Sequence, residues 1–144
     1  MKRLYDTLAL LNTVRMHGEK ALSYIRGNYI LSLTPYEIGN ALWKETTLLR
    51  RISLEEAVQL LSSIEFLLRY LNTVDPGDKQ LVLEVAHELG VTYYDASYIV
   101  AAYELEAVLV TGDKKLRSKI EEKRDLLRKI LSREITVYTS EEIT

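Results

Sequence analysis

Four acidic residues occupy positions at which their carboxylates could do chemistry together. Asp6 and Asp113 each follow a short apolar segment that is typical of a buried strand. Glu37 and Asp95 each lie in the first turn of a segment with helical periodicity. In an open parallel sheet, ligands bind beyond the carboxyl ends of the strands. If these strands are parallel, the four residues occupy equivalent positions around one pocket.

Carboxylates that converge in one cleft repel each other, so the arrangement is unfavourable unless a cation neutralises it. Oxygen ligands favour a hard ion, and Mg²⁺ or Mn²⁺ also keeps open positions for phosphate oxygens. One or two such ions can activate a water and stabilise the leaving oxygen in phosphodiester hydrolysis. The pattern therefore predicts a metal-dependent site for that reaction. The alternative, for each residue taken alone, is a surface carboxylate or a helix cap.

The composition excludes other kinds of site. The 144 residues contain no cysteine, so no disulfide, thiolate nucleophile or cysteine-bound metal is possible, and the reducing cytoplasm is the expected location. His17 and His87 are isolated, which argues against a histidine metal site. The net charge of −2 argues against general binding to nucleic acid or to a membrane surface. No segment is long and apolar enough to span a membrane, so we expect a soluble protein.

Five strands separated by helices must position these carboxylates. Apolar, β-prone runs predict strands over residues 2–5, 29–33, 72–74, 107–111 and 135–139. Helices between successive strands favour an α/β fold, in which a parallel sheet has helices on both faces. Because no linker or internal repeat interrupts the chain, residues 1–144 are predicted to form a single domain.

Apolar spacing and capping residues predict the helices. Pro35 can open the helix after the second strand, with Ile38, Leu42 and Trp43 on one apolar face. A capping box that begins at Ser53 opens the next helix. The core-facing residues of that helix are predicted to be Leu54, Val58, Leu61, Ile64, Leu68 and Leu71. The last charged segment is predicted to form one long helix, with an apolar face made by Leu116, Ile120, Leu127 and Leu131.

Four motifs, in order along the chain, resemble those of the PIN domain family, and most closely those of its VapC-like toxins. They are Asp6-Thr7, the YEIGNAL segment at 36–42, the YDASY segment at 94–98 and the VTGDKKL segment at 110–116. The resemblance covers essentially the whole chain. It implies a three-layer α/β/α domain with a parallel sheet in the order 3-2-1-4-5. It also implies a metal-dependent endoribonuclease that hydrolyses RNA phosphodiester bonds, as the toxin of a VapBC-type toxin-antitoxin pair.

The resemblance further implies roles for individual residues. The family's four acidic positions, which would bind Mg²⁺ or Mn²⁺ directly or through water and carry the catalysis, correspond to Asp6, Glu37, Asp95 and Asp113. Thr111 falls at the hydroxyl position two residues before the last acid and would orient the site or a water. Asn40 falls at the polar position one helical turn after the second acid. The alternative for Asn40 is a capping or packing role.

The first motif departs from the family's pattern. A small hydroxyl residue usually follows the Asp-Thr pair, but here the residue is Leu8, and Thr7 is the candidate to supply the hydroxyl. Loss of a hydrogen bond to a metal ligand weakens metal affinity or activity by about 10- to 100-fold. An alternative function therefore stays open: a degenerate PIN domain that binds RNA or a protein without cleaving.

Basic residues are concentrated near the end of the chain, where nine of the 19 lie between positions 114 and 133. Lys114 and Lys115 directly follow the last acid of the predicted pocket, and we expect them to contact RNA phosphates. For positions 123–133, the preferred interpretation is a charged helix face in solvent.

The predicted helix over residues 54–71 carries apolar residues on more than one face, and this surplus apolar surface indicates a partner. The resemblance to VapC-like toxins implies two partners besides RNA. One is a second copy of the chain, which gives a homodimer. The other is a cognate VapB-like antitoxin, a segment of which lies in a helical groove and blocks the acidic pocket.

Overall fold

Five short strands form a parallel sheet in the computed structural model, which describes residues 1–143. The strands are β1 (Arg3–Tyr5), β2 (Tyr29–Leu31), β3 (Asn72–Val74), β4 (Val108–Val110) and β5 (Val137–Tyr138). They lie in the order β3-β2-β1-β4-β5, and every neighbouring pair is parallel. The predicted fold class and strand order are confirmed. Four of the five predicted strands are longer than the observed ones, because loops at the strand ends hold the extra residues.

Helices cover both faces of the sheet. They are α1 (Thr7–His17), α2 (Ala21–Ile25), α3 (Thr34–Trp43), α4 (Leu54–Leu68), α5 (Lys79–Leu89), α6 (Tyr93–Leu105), α7 (Lys114–Glu122), α8 (Arg124–Leu131) and α9 (Ser140–Ile143). A 3₁₀ turn (Gly18–Lys20) joins α1 to α2, and a π-helical turn (Lys44–Leu48) extends α3. Within residues 1–143, no helix has the length and apolar content that crossing a bilayer requires.

Two apolar cores lie on opposite faces of the sheet, because successive strand residues point in opposite directions. On one face, α5, α6, α7 and α8 pack against Leu4, Leu31 and Leu109. On the other face, α1, α2, α3 and α4 pack against Tyr5 and Ile30, among other strand residues. The three-layer α/β/α arrangement is therefore confirmed.

The helix that begins after Ser53 has the predicted capping box, and its predicted core face is confirmed except at the first turns. The Ser53 side chain accepts from the backbone N–H of Glu56, whose carboxylate accepts from the backbone N–H of Ser53. Leu54 is 72% exposed and Val58 is also exposed, so their predicted core positions are wrong. The buried residues of α4 are Ala57, Ile64 and Leu67. The predicted core residues Leu61, Leu68 and Leu71 are partly buried against the same core.

Trp43 is a second correction, since its indole is 48% exposed. Successive helix residues point about 100° apart, so Leu42 takes the core position at this end of α3 and Trp43 is turned away from it.

The predicted long charged helix is a third correction. It breaks at Lys123 into α7 and α8, although Leu116, Ile120, Leu127 and Leu131 are all buried as expected. A straight helix over those positions would extend about 23 Å, whereas a three-residue strand extends about 10 Å. The break lets both halves stay on the sheet.

Candidate active site

Asp6 lies at the carboxyl end of β1, the central strand, and caps α1. Its Oδ1 accepts hydrogen bonds from the backbone N–H of Ala9 at 2.8 Å and of Gly112 at 3.2 Å. Its Oδ2 accepts from the Thr111 hydroxyl. The side chain is therefore fixed by three donors from two different elements, and the residue is only 6% exposed. An aspartate that served only as a helix cap would need only the hydrogen bond from Ala9.

Gly112 brings the loop after β4 against the first turn of α1. A Cβ atom at this position would lie 2.7 Å from the Cβ of Leu8 and 2.8 Å from its carbonyl carbon. Only glycine fits such a contact without movement of the backbone. The residue that packs against Gly112 is Leu8, where this chain departs from the family's pattern. The departure leaves all three hydrogen bonds to Asp6 in place.

Glu37 lies in the first turn of α3, and its Oε1 accepts two hydrogen bonds from buried hydroxyl groups. The Thr7 hydroxyl donates to it at 2.8 Å, and the Tyr98 hydroxyl donates at 2.7 Å. Because Tyr98 has a single hydroxyl proton, the Thr34 hydroxyl, 2.7 Å away, must donate to Tyr98. Within the described chain, the Oε2 of Glu37 has no hydrogen bond, so this oxygen is available to a ligand.

Tyr98 and Thr34 are functional candidates to which the sequence analysis gave no role. Tyr98 is only 2% exposed. Burial is the main reason why the pKa of its phenol lies above the usual value, so the hydroxyl stays protonated and remains a donor. One available signal was spacing, since Tyr98 lies one helical turn after Asp95. For Thr34, the signal was its position at the carboxyl edge, directly after β2.

Asp95 and Asp113 lie at the N-termini of two further helices, α6 and α7. Thr92 caps α6, since its hydroxyl accepts from the backbone N–H of Asp95, so the idea that Asp95 is itself a cap is wrong. The Asp95 carboxylate is half-buried, and a hydrogen bond with the Thr92 side chain lowers its pKa against the larger, opposite effect of burial. Asp113 is a cap as expected: its Oδ1 accepts from the backbone N–H of Lys115 at 2.9 Å and of Leu116 at 3.2 Å.

The four carboxylates repel one another as one group. The pKa of Asp6 is raised to about 6, because burial and, to a smaller extent, the charge of Asp113 outweigh the lowering effect of the three hydrogen bonds. Burial also raises the pKa of Asp95, followed by repulsion from Asp113 and from Glu37. These interactions connect all four acids, so the structure brings together the residues that the sequence placed at one edge.

The chemistry of this group fits a hard divalent cation. All the side-chain donors are carboxylate oxygens, and the hydrogen bonds to Glu37 and to Asp113 each use only one oxygen of the carboxylate. The repulsion between the acids would be relieved by positive charge. Among residues 1–143, however, no three acidic or histidine side chains are close enough to hold one ion. Repulsion between like charges favours such separation, and binding would require side-chain movement.

The remaining predicted site residues lie at the rim of this group. Lys114 and Lys115 are exposed at the start of α7, directly after Asp113, and their side chains form no ion pair in the described part of the chain. Asn40 is exposed one turn after Glu37, and its side chain has no hydrogen bond to residues 1–143.

Metal-free stability should fall with rising pH because of Asp6. Its pKa is higher in the folded chain, about 6, than the ordinary 3.8, so the folded state binds this proton more tightly. The resulting stabilisation is complete below pH 3.8 and is lost as the pH rises through about 6. A shift of this size corresponds to about 3 kcal/mol.

Urea unfolding in EDTA across this pH range, with Asp6→Asn as the matched variant, isolates the effect. As the pH rises through about 6, the free energy of unfolding of the original chain, relative to that of the variant, should decrease by about 3 kcal/mol. A difference that does not change with pH would show that the buried carboxyl is not responsible.

Comparisons with known proteins agree with this geometry. The family model of the PIN domain matches residues 4–122. Exonuclease VapC9 from Pyrobaculum aerophilum is 38% identical over 116 residues, which cover 81% of this chain and 84% of that protein. Ribonuclease VapC3 from the same organism is 33% identical over 106 residues, covering 71% and 78%. The crystal structure of PAE2754 from Pyrobaculum aerophilum matches with a TM-score of 0.68 and 32% identity, over 92% of this chain and 98% of that one.

Proposed function

Because this chain belongs to the PIN domain family, among its VapC-like members, we propose that it is a metal-dependent endoribonuclease and the toxin of a VapBC-type toxin-antitoxin pair. One observation carries the proposal: four carboxylates at the carboxyl edge of the sheet are linked by repulsion between Asp6 and Asp113, Asp95 and Asp113, and Asp95 and Glu37, and buried hydroxyl groups donate to two of them. The names of the VapC relatives, a ribonuclease and an exonuclease, support a nuclease. The whole described chain would act as one domain in the cytoplasm.

Asp6, Glu37 and Asp95 are the proposed ligands of Mg²⁺ or Mn²⁺, and Asp113 completes the pocket. When bound, such an ion lowers the pKa of water and stabilises the leaving oxygen of the phosphodiester. The net reaction adds water across a P–O bond and yields a phosphate monoester and a hydroxyl.

The chain's own contribution is positioning. Thr7 and Tyr98 hold one oxygen of Glu37 and leave the other available, while Thr111 and two backbone N–H groups fix Asp6. Lys114 and Lys115 would hold RNA phosphates beside the pocket, and Asn40 would contact the substrate from α3. Because the site is fixed in advance by these donors, little reorganisation is needed when the substrate binds.

Cleavage of a mixed-sequence single-stranded RNA in Mn²⁺, Mg²⁺ or EDTA tests this function. We expect cleavage with either ion and none in EDTA. The competing function is the degenerate, non-catalytic domain. In that case we expect neither cleavage nor a metal-induced rise in Tm, because a site that binds only in the folded state must stabilise it.

A second candidate activity is exonuclease, which the name of the 38% identical relative favours. The two activities differ in whether a free RNA end is needed. Circular RNA therefore separates them, since only an endonuclease can open it.

The proposed protein partners are a second copy of the chain and a VapB-like antitoxin. Exposed apolar side chains on α4, namely Leu54, Val58 and Phe66, support a covered surface there. Light scattering on the purified chain checks the dimer, and a monomer at every concentration would contradict it.

Loss of the Tyr98 hydroxyl should impair metal binding without unfolding the protein. Tyr98→Phe removes a donor from Glu37 and leaves Thr34 without its acceptor. We expect Mn²⁺ affinity and cleavage rate to fall by about 10- to 100-fold. The matched control is Tyr5→Phe, since Tyr5 is equally buried but its hydroxyl donates to the carbonyl of Tyr24. Titration of Tm with Mn²⁺ gives the affinity of each variant, and equal affinities would contradict the role of Tyr98.

A further inference from the structure

A groove with a volume of about 720 Å³ lies between the α7–α8 pair and the segment that leads through β5 to α9. Its apolar residues include Ile120, Leu127, Ile135 and Val137. Five basic residues and four acidic residues also line it: Lys114, Arg117, Arg124, Arg128 and Arg133, with Glu121, Glu122, Glu134 and Glu142. An apolar surface beside cationic side chains is the combination that a nucleotide, with its base and its phosphate, requires.

Three of the five basic residues already have partners. Arg124 pairs with Glu121, and Arg128 lies 3.6 Å from Glu134. Arg133 donates to a backbone carbonyl. These side chains therefore behave as the charged helix face that the sequence indicated, and they leave little positive charge for a ligand.

Lys114 and Arg117 differ from the other three. Neither side chain makes a hydrogen bond or an ion pair within the part of the chain that the structure describes. The Nε of Arg117 is also enclosed without an acceptor. Enclosing a guanidinium nitrogen without an acceptor is unfavourable, and an anion at the remaining donors would offset that cost. Because the two residues are three positions apart on α7, they lie on the same face of the helix.

The groove begins beside the acidic site, since Lys114 directly follows Asp113. Its lining from α8 and from the segment that leads through β5 lies outside residues 4–122, the range that the PIN family model matches. The groove is therefore built partly from a region that the family match does not describe.

On the basis of the nuclease function proposed above, we propose that this groove binds the RNA strand that flanks the cleaved bond. Lys114 and Arg117 each contact a backbone phosphate, and a nucleotide lies against the apolar residues. Arg117 contributes to substrate binding and does not touch the reacting atoms. The groove thus sets how far the bound strand extends beyond the cleavage site.

Salt-dependent binding tests this assignment without cleavage. The protein is the full chain with Asp95→Asn, and the probe is a fluorescent, mixed-sequence single-stranded RNA dodecamer measured by anisotropy at a series of KCl concentrations. Each lost phosphate contact should reduce the slope of log K against log salt by about 0.7. We expect this reduction for Arg117→Gln and for Lys114→Gln, together with about fivefold weaker binding at low salt. Arg117→Lys keeps the charge and should keep the slope.

Lys129→Gln is the matched control, because Lys129 is exposed on α8 but does not line the groove. Its slope should equal that of the parent, and thermal melts confirm that each variant is folded. Unchanged slopes for the Arg117 and Lys114 variants would overturn the groove and leave the nuclease function intact. An equal reduction in Lys129→Gln would also overturn it, since binding would then be diffuse. A parent that binds no RNA would overturn the nuclease function and the groove together.

Discussion

Asp95→Asn should slow RNA cleavage by about 100- to 1000-fold, as expected when a charge that stabilises the transition state is removed. The pKa of the Asp95 carboxylate is raised by burial and by repulsion from Asp113 and Glu37, and the hydrogen bond with the Thr92 side chain does not offset this. Its charge therefore costs stability in the metal-free protein. We infer that this carboxylate is present for a ligand and not for the fold.

The same reasoning predicts the stability of the variant. Because Asn carries no charge, Asp95→Asn should unfold in EDTA at the same Tm as the original chain or at a higher one. Asp125→Asn, which removes an exposed carboxylate on α8, is the matched control and should leave both cleavage and Tm unchanged. Full activity of Asp95→Asn would remove this residue from the site. Loss of activity with a lower Tm would indicate a structural role instead.

Gly112→Ala should destabilise the fold and disable the site at once. The new Cβ would lie 2.7 Å from the Cβ of Leu8 and 2.8 Å from its carbonyl carbon, so backbone must move. Overpacking of this kind costs about 1 to 3 kcal/mol. The movement would also displace the backbone N–H that donates to Asp6 and the neighbouring Thr111 hydroxyl. We therefore expect cleavage to be lost even at temperatures where the variant remains folded.

Urea unfolding and RNA cleavage at low temperature measure the two effects separately. Gly39→Ala is the control, since no atom lies within 4 Å of a Cβ at that position in α3. Alanine in a helix is favoured over glycine by about 1 kcal/mol, so Gly39→Ala should be neutral or slightly stabilising. A Gly112→Ala protein as stable and as active as the original would show that the contact with Leu8 can relax freely.

The predictable parts of this protein are those that follow from local pattern. The apolar runs before Asp6 and Asp113 indicated two strands, and the confirmed parallel order puts the ends of β1 and β4 side by side. Because carboxyl ends of parallel strands share one edge, neighbouring acids follow from topology alone. The capping box at Ser53 was equally predictable, since both of its hydrogen bonds lie within four residues.

The hydrogen bonds around Glu37 could not be predicted in the same way. The hydroxyl of Thr34 meets that of Tyr98 across 64 positions, and Tyr98 meets Glu37 across 61. Such contacts depend on how two helices pack and on which rotamers they allow. Leu54 and Val58 were misplaced for a related reason, because a pattern gives the period of a helix, whereas neighbouring elements decide which of its residues are covered. Trp43 was misplaced by the same ambiguity.

The motif around Asp6 and the structure around it lead to different conclusions about Leu8. The missing small hydroxyl suggested a weakened first motif. In the structure, the hydroxyl of Thr7 donates to Glu37, while the backbone of Leu8 packs against Gly112. These contacts support the active nuclease over the degenerate domain, and RNA cleavage in the presence of metal distinguishes the two.

Incubation of a circular single-stranded RNA with the purified protein tests the central claim most directly. With Mn²⁺ or Mg²⁺ we expect the circle to be opened and then shortened, while EDTA and Asp95→Asn leave it intact. Circles that stay intact while a linear RNA of the same sequence is degraded from one end would contradict endonuclease activity. Circular and linear RNA that both stay intact in the presence of metal would contradict the nuclease function itself.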